Sequence, residues 1–236
     1  FQAIGGDGGG GHNSYRGGPG GGGRIYVEYN DPAGFTTPRY STVRGGYGFG
    51  AKYGKNGTMA FYERDVNDLW VVEGWRWQQN DSPHTYNNLK ITDSTTDSSA
   101  WVRDDTNAVR VDVALRTDMD SAAYWESTAS LTDLRTTNLV MVGSRITGRP
   151  VSVTLLGAAT LSSSSQIDAT SVRIGGAGNW TLGTGRIISP SVVFDQVGTV
   201  TLNSSSYLQG NLYGTMRNLL ITSTSGSLNA NGYGEA

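Results

Sequence analysis

Three close pairs of aspartates, Asp65/Asp68, Asp104/Asp105 and Asp118/Asp120, have the type and spacing to do chemistry. Carboxylate oxygens are the ligands of Ca²⁺, which takes about six to eight of them, so calcium is a candidate cofactor at each pair. None of the pairs stands in an EF-hand loop or a calcium-binding nonapeptide, and charged turns on a solvated surface account for them equally well. Paired carboxylates across a groove also cleave glycosidic bonds, but no two acids here have a distinctive separation in sequence. Trp70, Trp75 and Trp77, with Tyr62 and Tyr86, could form a platform for sugar rings. Strand alternation puts Trp75 and Trp77 on one side. The same rings would serve as core filler beside residues that lack side chains.

Other chemistries find less to build on. His12 and His84 are the only histidines, far apart and read here as loop residues, with no marked nucleophile and acid to complete a triad. Gly6 to Gly11 satisfies G-x-G-x-x-G, but inside a glycine tract that match is almost automatic, and no βαβ pattern surrounds it. Lys52, Lys55 and Lys90 are the only lysines, and none follows a P-loop pattern. Without cysteine there is no disulfide, thiolate metal site or cysteine nucleophile. A net charge of −2 gives no electrostatic reason to expect nucleic acid. No run approaches the roughly 20 apolar residues of a bilayer span. The chain opens at Phe1 without an initiator Met, so a processed or excerpted sequence is expected, and a missing signal peptide says nothing about export.

The elements that must position these residues follow from a recurring phrase: a small polar residue, then hydrophobic, any residue, hydrophobic. It occurs as Asn88-Leu89-Lys90-Ile91, Asn138-Leu139-Val140-Met141, Ser171-Val172-Arg173-Ile174, Ser191-Val192-Val193-Phe194 and Asn218-Leu219-Leu220-Ile221. The last three start 20 and 27 residues apart, about one turn of a β-solenoid. Leu161, Leu182 and Leu202 recur in step, as do Ile167, Ile188 and Leu208, and Val172 and Ile174 match Val192 and Phe194. Alternating triplets bury one side of a short strand, and Asn or Ser ahead of them suits a turn whose hydrogen bonds repeat from coil to coil. The expected fold is all-β: a single-stranded parallel β-helix (β-solenoid). A β-sandwich is the alternative, but sandwich turns recur at a shorter spacing of about 8–12 residues.

The organisation is uneven. Residues 1–57 form a glycine-rich region, with 19 of the 34 glycines in the first 60 positions, and contain an alternating strand at 24–29. Tight packed loops are expected of the tract, because glycine allows close backbone approach; a free linker is the alternative. Residues 58–91 are read as first coils and 92–138 as an insertion or decorated coil, with a helix at Ser121 to Ala129. Residues 139–236 are read as regular coils ending on an unfinished one.

Gly22-Gly23-Arg24-Ile25-Tyr26-Val27, then Gly57-Thr58-Met59-Ala60-Phe61-Tyr62, then Thr85-Tyr86-Asn87-Asn88-Leu89-Lys90-Ile91, resemble large bacterial cell-surface and extracellular β-helix proteins of the adhesin type. The resemblance covers about residues 1–91 and the final coils. In that family the coil ending Asn-Ala-Asn-Gly precedes the glycine tract, whereas here it comes last, at Leu228 to Gly234. That order implies one repeat of a longer protein, or a subunit that stacks head to tail on copies of itself. Phe1, Ile4, Leu228, Asn229 and Tyr233 are the expected interface residues. The expected role is a structural extracellular fibre, matrix or adhesin-stalk subunit rather than an enzyme. The alternatives are a carbohydrate-binding adhesin with surface glycans as partners, or a tailspike-like β-helix that degrades polysaccharide.

Overall fold

The computed structural model of the chain describes residues 4–5, 21–30, 46–48, 52–53, 57–77, 82–92, 100–104, 107–120 and 122–229. All their regular structure is β. The strands are β1 (Arg24–Tyr29), β2 (Tyr47–Gly48), β3 (Lys52–Tyr53), β4 (Thr58–Glu63), β5 (Asp68–Trp77), β6 (His84–Ile91), β7 (Trp101–Asp104), β8 (Val109–Met119), β9 (Tyr124–Ser127) and β10 (Thr132–Val142). They continue as β11 (Arg145–Gly148), β12 (Val151–Leu155), β13 (Ala158–Ser162), β14 (Gln166–Ala169), β15 (Val172–Gly175), β16 (Asn179–Leu182), β17 (Arg186–Leu202), β18 (Tyr207–Ile221) and β19 (Ser227–Asn229). From β5 onward every pairing is parallel, in about seven turns of a solenoid. A sandwich, built from antiparallel sheets, is excluded by that pairing.

Each turn has three faces. On the first, Leu69, Leu89, Thr117, Leu139, Ala159, Trp180, Val200 and Leu219 stand in one column. On the second, Trp75, Val102, Trp125, Ile146, Ile167, Ile187, Leu208 and Leu228 do so. On the third, Val111, Leu134, Val153, Ile174 and Phe194 continue the pattern. These columns point inward and fill one continuous core, because side chains two apart on a strand share a side and parallel pairing stacks like on like. At about 4.8 Å per rung, seven turns stand on the order of 34 Å tall.

The recurring phrase belongs to two faces. Asn88, Asn138 and Asn218 precede the first face, and Ser171 and Ser191 precede the third, so the 27-residue step from Ser191 to Asn218 is a change of face and not a coil. The column of Asn88, Asn138 and Asn218 ahead of the first face also holds Asp68, Arg116, Ala158, Asn179 and Thr199. Its amides work between coils. Asn138 Oδ1 accepts from the Ala158 N–H at 3.1 Å, Asn179 Oδ1 from the Thr199 N–H at 2.8 Å, and the Asp68 carboxylate from the Asn88 N–H at 2.9 Å. A side chain that caps the backbone of the next rung fixes where the chain turns.

Two expectations are corrected, and a third, the choice between insertion and decorated coil, is narrowed. Residues 121–129 contain no helix among the described positions: β9 lies there, because Trp125 and Ser127 alternate inward. Ile187, not Ile188, stacks between Ile167 and Leu208, and Ile188 pairs with Asp168 and Gln209 on the outer side. The 92–138 span supplies β7, β8 and β9, which pair in register with β5, β6, β10 and β11, so its described part is coil rather than insertion.

Candidate functional site

The lateral surfaces carry several ion pairs that compensate one another locally. On the third face Arg110 pairs with Asp112 and Arg135 with Asp133, each at 2.8 Å along its own strand, and Arg173 reaches Asp195 on the next rung. Arg116 and Asp118 do the same on the first face. The Asp112 hydrogen bond holds the Arg110 guanidinium above its usual pKa. Pairs this exposed contribute little to stability, and each of them leaves little net charge of its own for a ligand.

The aspartates expected as calcium ligands are dispersed. Asp65 is exposed in the β4–β5 turn. Asp68 accepts two hydrogen bonds from the Asn88 amide at 3.0 Å. Asp118 is held by Arg116, Asp120 ends the first face of its coil, and Asp105 lies outside the described residues. Asp104 is wholly buried in the core, accepting from Trp125 Nε1 at 2.6 Å and from the Thr132 hydroxyl. A buried carboxylate needs such donors, and these two tie neighbouring coils together. Among the described residues no three His, Cys, Asp or Glu gather as a metal site.

The tryptophans are likewise parted. Trp77 is buried, its ring centroid 4.5 Å from that of Trp125. Trp75 faces the core half-buried, with Tyr26 at 5.8 Å. Trp70 points outward, packed on Phe61 at 6.3 Å and carrying the Lys90 ammonium 4.6 Å above its ring. Trp75 and Trp77 do share a side, as alternation requires, but that side is the core. His84 opens β6, with its ring 5.9 Å from Trp77, and is not a loop residue. His12 lies outside the described residues.

The two ends of the solenoid remain, and they are unlike. At the N-terminal end the chain reverses: β4 runs antiparallel to β5, and β1 lies parallel on β4. Ala60 and Tyr26 continue the inner side of the first face, while Met59 and Phe61, both fully buried, gather Ile25, Val27, Tyr29 and Trp70 into a second small core on its outer side. A Cβ on Gly57 would stand 1.6 Å from the Gly23 carbonyl oxygen, so only glycine lets β1 approach there. Partial burial raises the pKa of both Tyr26 and Tyr29, with lesser contributions from Glu28 and Glu63 respectively.

At the C-terminal end the ladder stays open. β18 pairs along its length with β17, but on its other side β19 covers only Tyr207–Gln209. Among the described residues nothing pairs with that side of 211–221. Tyr213, Leu219, Leu220, Ile221 and Leu228 are therefore 38–50% exposed, although Leu219, Ile221 and Leu228 occupy columns that are fully buried one coil earlier. Of the interface residues expected from sequence, Leu228 and Asn229 lie on this end in β19. Ile4 is 57% exposed, and Phe1 and Tyr233 fall outside the described residues. Tyr213 and Leu219–Ile221 were not among the expected interface residues. The legible signal for them is Leu220, an apolar residue in an outer column that reads Lys90, Asp118, Thr160, Thr181 and Thr201, with Val140 the one apolar position between Trp70 and itself.

No family model, no curated protein and no solved structure matches this chain. No described helix is long and apolar enough to cross a membrane, which says nothing of strands.

Proposed function

We propose that this chain is a structural subunit of an extracellular fibre, matrix or adhesin stalk that assembles with copies of itself, end to end, through the edges of its β-solenoid. The observation that carries the reading is the last described coil, where core columns run out to solvent and no described strand pairs with the backbone above them. An uncovered edge strand of this kind is a template for another strand, and a contiguous apolar patch on an otherwise polar surface marks an interaction site. Covering half-exposed Leu219, Ile221 and Leu228 would contribute about 1 kcal/mol each, and strand pairing would add direction and register. The likeness of residues 1–91 to adhesin-type surface proteins, and a composition low in charge and rich in Gly, Ser, Thr and Asn, support the extracellular setting. The mechanism is mechanical: parallel ladders and interlocked turns make a stiff rod, and edge pairing makes it longer.

The test is light scattering over a concentration series, with electron microscopy of the same samples. Mass should rise with concentration in the native sequence and stay at 25.1 kDa in a Leu219→Lys/Ile221→Lys variant with unchanged circular dichroism. A native chain that is monomeric at every concentration would overturn the reading.

A further inference from the structure

We infer that the strand seated on the open edge is β1 of a second copy, paired antiparallel with Asn218–Ile221 of β18, so that copies join head to tail. The inference rests on the end-to-end reading above and names the partner strand. Among the described residues, Arg24–Glu28 of β1 pair on one side only, with β4, and the first-face part of β18 on one side only, with β17. Both belong to the first face: β1 extends it beyond β4 at one end of the solenoid, and Asn218–Ile221 closes it at the other. Head-to-tail stacking brings these two edges opposite each other. Because β4 reverses the chain, β1 runs opposite to the coils, and the joint is antiparallel although every pairing from β5 onward within the copy is parallel.

Side-chain polarity matches across the outer side of the joint, while on the core side Tyr26 is flanked by the charged Arg24 and Glu28. The outer side of β1 carries Ile25, Val27 and Tyr29, in line with Met59 and Phe61 of β4 and beside Trp70 of β5. The outer residue of the last rung is Leu220, half exposed. Pairing the edges puts Leu220 against that apolar stripe. On the core side Tyr26, 52% exposed, meets Leu219 and Ile221, as it already meets Trp75 in its own copy. A heterologous contact of this kind does not close on itself and produces an open filament. Two C-terminal edges joined by a twofold axis would instead give a closed dimer with Leu220 beside its own copy.

The absence of cysteine makes the joint directly testable by disulfide trapping. Residues facing each other on adjacent antiparallel strands have Cα atoms about 4.5–5.5 Å apart, within disulfide reach. Leu220→Cys protein is mixed under mild oxidation with Ile25→Cys, Val27→Cys or Tyr29→Cys protein, the three outer positions of β1. A covalent heterodimer in at least one mixture, and none with Tyr26→Cys, whose side chain lies on the other side of the strand, is the expected result. All variants are first checked for native circular dichroism, and three alternative partners guard against one that folds poorly. A covalent dimer of Leu220→Cys alone, with no heterodimer, would mean tail-to-tail pairing. That overturns this inference and leaves end-to-end assembly standing, as would filaments that never trap any of the three positions. Monomeric mass with no trapping overturns both.

Discussion

The two ends of this solenoid solve the same problem differently. Any stack of coils must end somewhere, and its last coil has apolar columns with nothing above them. At the N-terminal end the chain turns back, lays β4 across the first face antiparallel, adds β1, and buries Met59 and Phe61 in a core of their own. At the other end β18 runs through all three faces and β19 covers three of its residues. Leu202 is buried one rung below Ile221, which is half exposed, although the two stand in the same column. Being buried here depends on having a next coil, not on the residue. Among the described residues, the first coil is therefore covered by the chain itself through β4 and β1, and the last described coil is not.

Paired substitutions give the largest expected difference between the ends. Phe61→Ala removes a fully buried ring and should cost about 3–5 kcal/mol in denaturant unfolding. Ile221→Ala, on a side chain already 49% exposed, should cost about 1 kcal/mol or less in the dilute monomer. Equal costs would mean that the C-terminal edge is covered in solution and would remove the contrast.

A smaller effect belongs to pH. The raised pKa values of Tyr26 and Tyr29 mean that the folded N-terminal end favours the neutral phenols. That contribution is fully present below the ordinary value of 10.0 and is lost as pH rises through the raised folded value. Thermal midpoints should therefore fall above pH 10, and fall less in a Tyr26→Phe/Tyr29→Phe variant. Identical declines in the two proteins would dissociate these phenols from the stability of that end.

Much of the fold was legible because a parallel solenoid repeats its chemistry at fixed intervals. Leu161, Leu182 and Leu202 and the pairs Val172/Val192 and Ile174/Phe194 are true columns. The coils at 92–138 were hidden for a physical reason. The step from Asn88 to its partner Arg116 is 28 residues, and Arg, Ala and Thr stand in the Asn column at 116, 158 and 199. Since the ladder needs an inward apolar residue more than it needs the corner amide, the corner is free to vary. Ile187 and Ile188 illustrate a different limit. Two adjacent isoleucines carry no alternation, so only the register with Ile167 and Leu208 decides which one points inward. Which aspartates and tryptophans face inward was not legible, because composition does not say which side of a strand a residue takes. Asp104 and Trp77 lie in the core, one satisfied by Trp125 and Thr132, the other stacked on Trp125. The open edge shows in sequence only through Leu220, apolar in a mostly polar outer column, and that column is visible only once the register is known.

The central claim is that 211–221, unpaired on one side among the described residues, is an edge that a second copy covers, and hydrogen exchange at two protein concentrations tests it most directly. Backbone amides alternate along a parallel strand, one toward each neighbour. In dilute solution the β18 amides directed at β17 should be protected and those directed at the free edge should exchange rapidly, while β10, paired on both sides, is protected throughout. On concentrating the protein, the free-edge amides should gain protection. Protection of both sets at high dilution, or rapid exchange of the edge set at every concentration, would contradict the account.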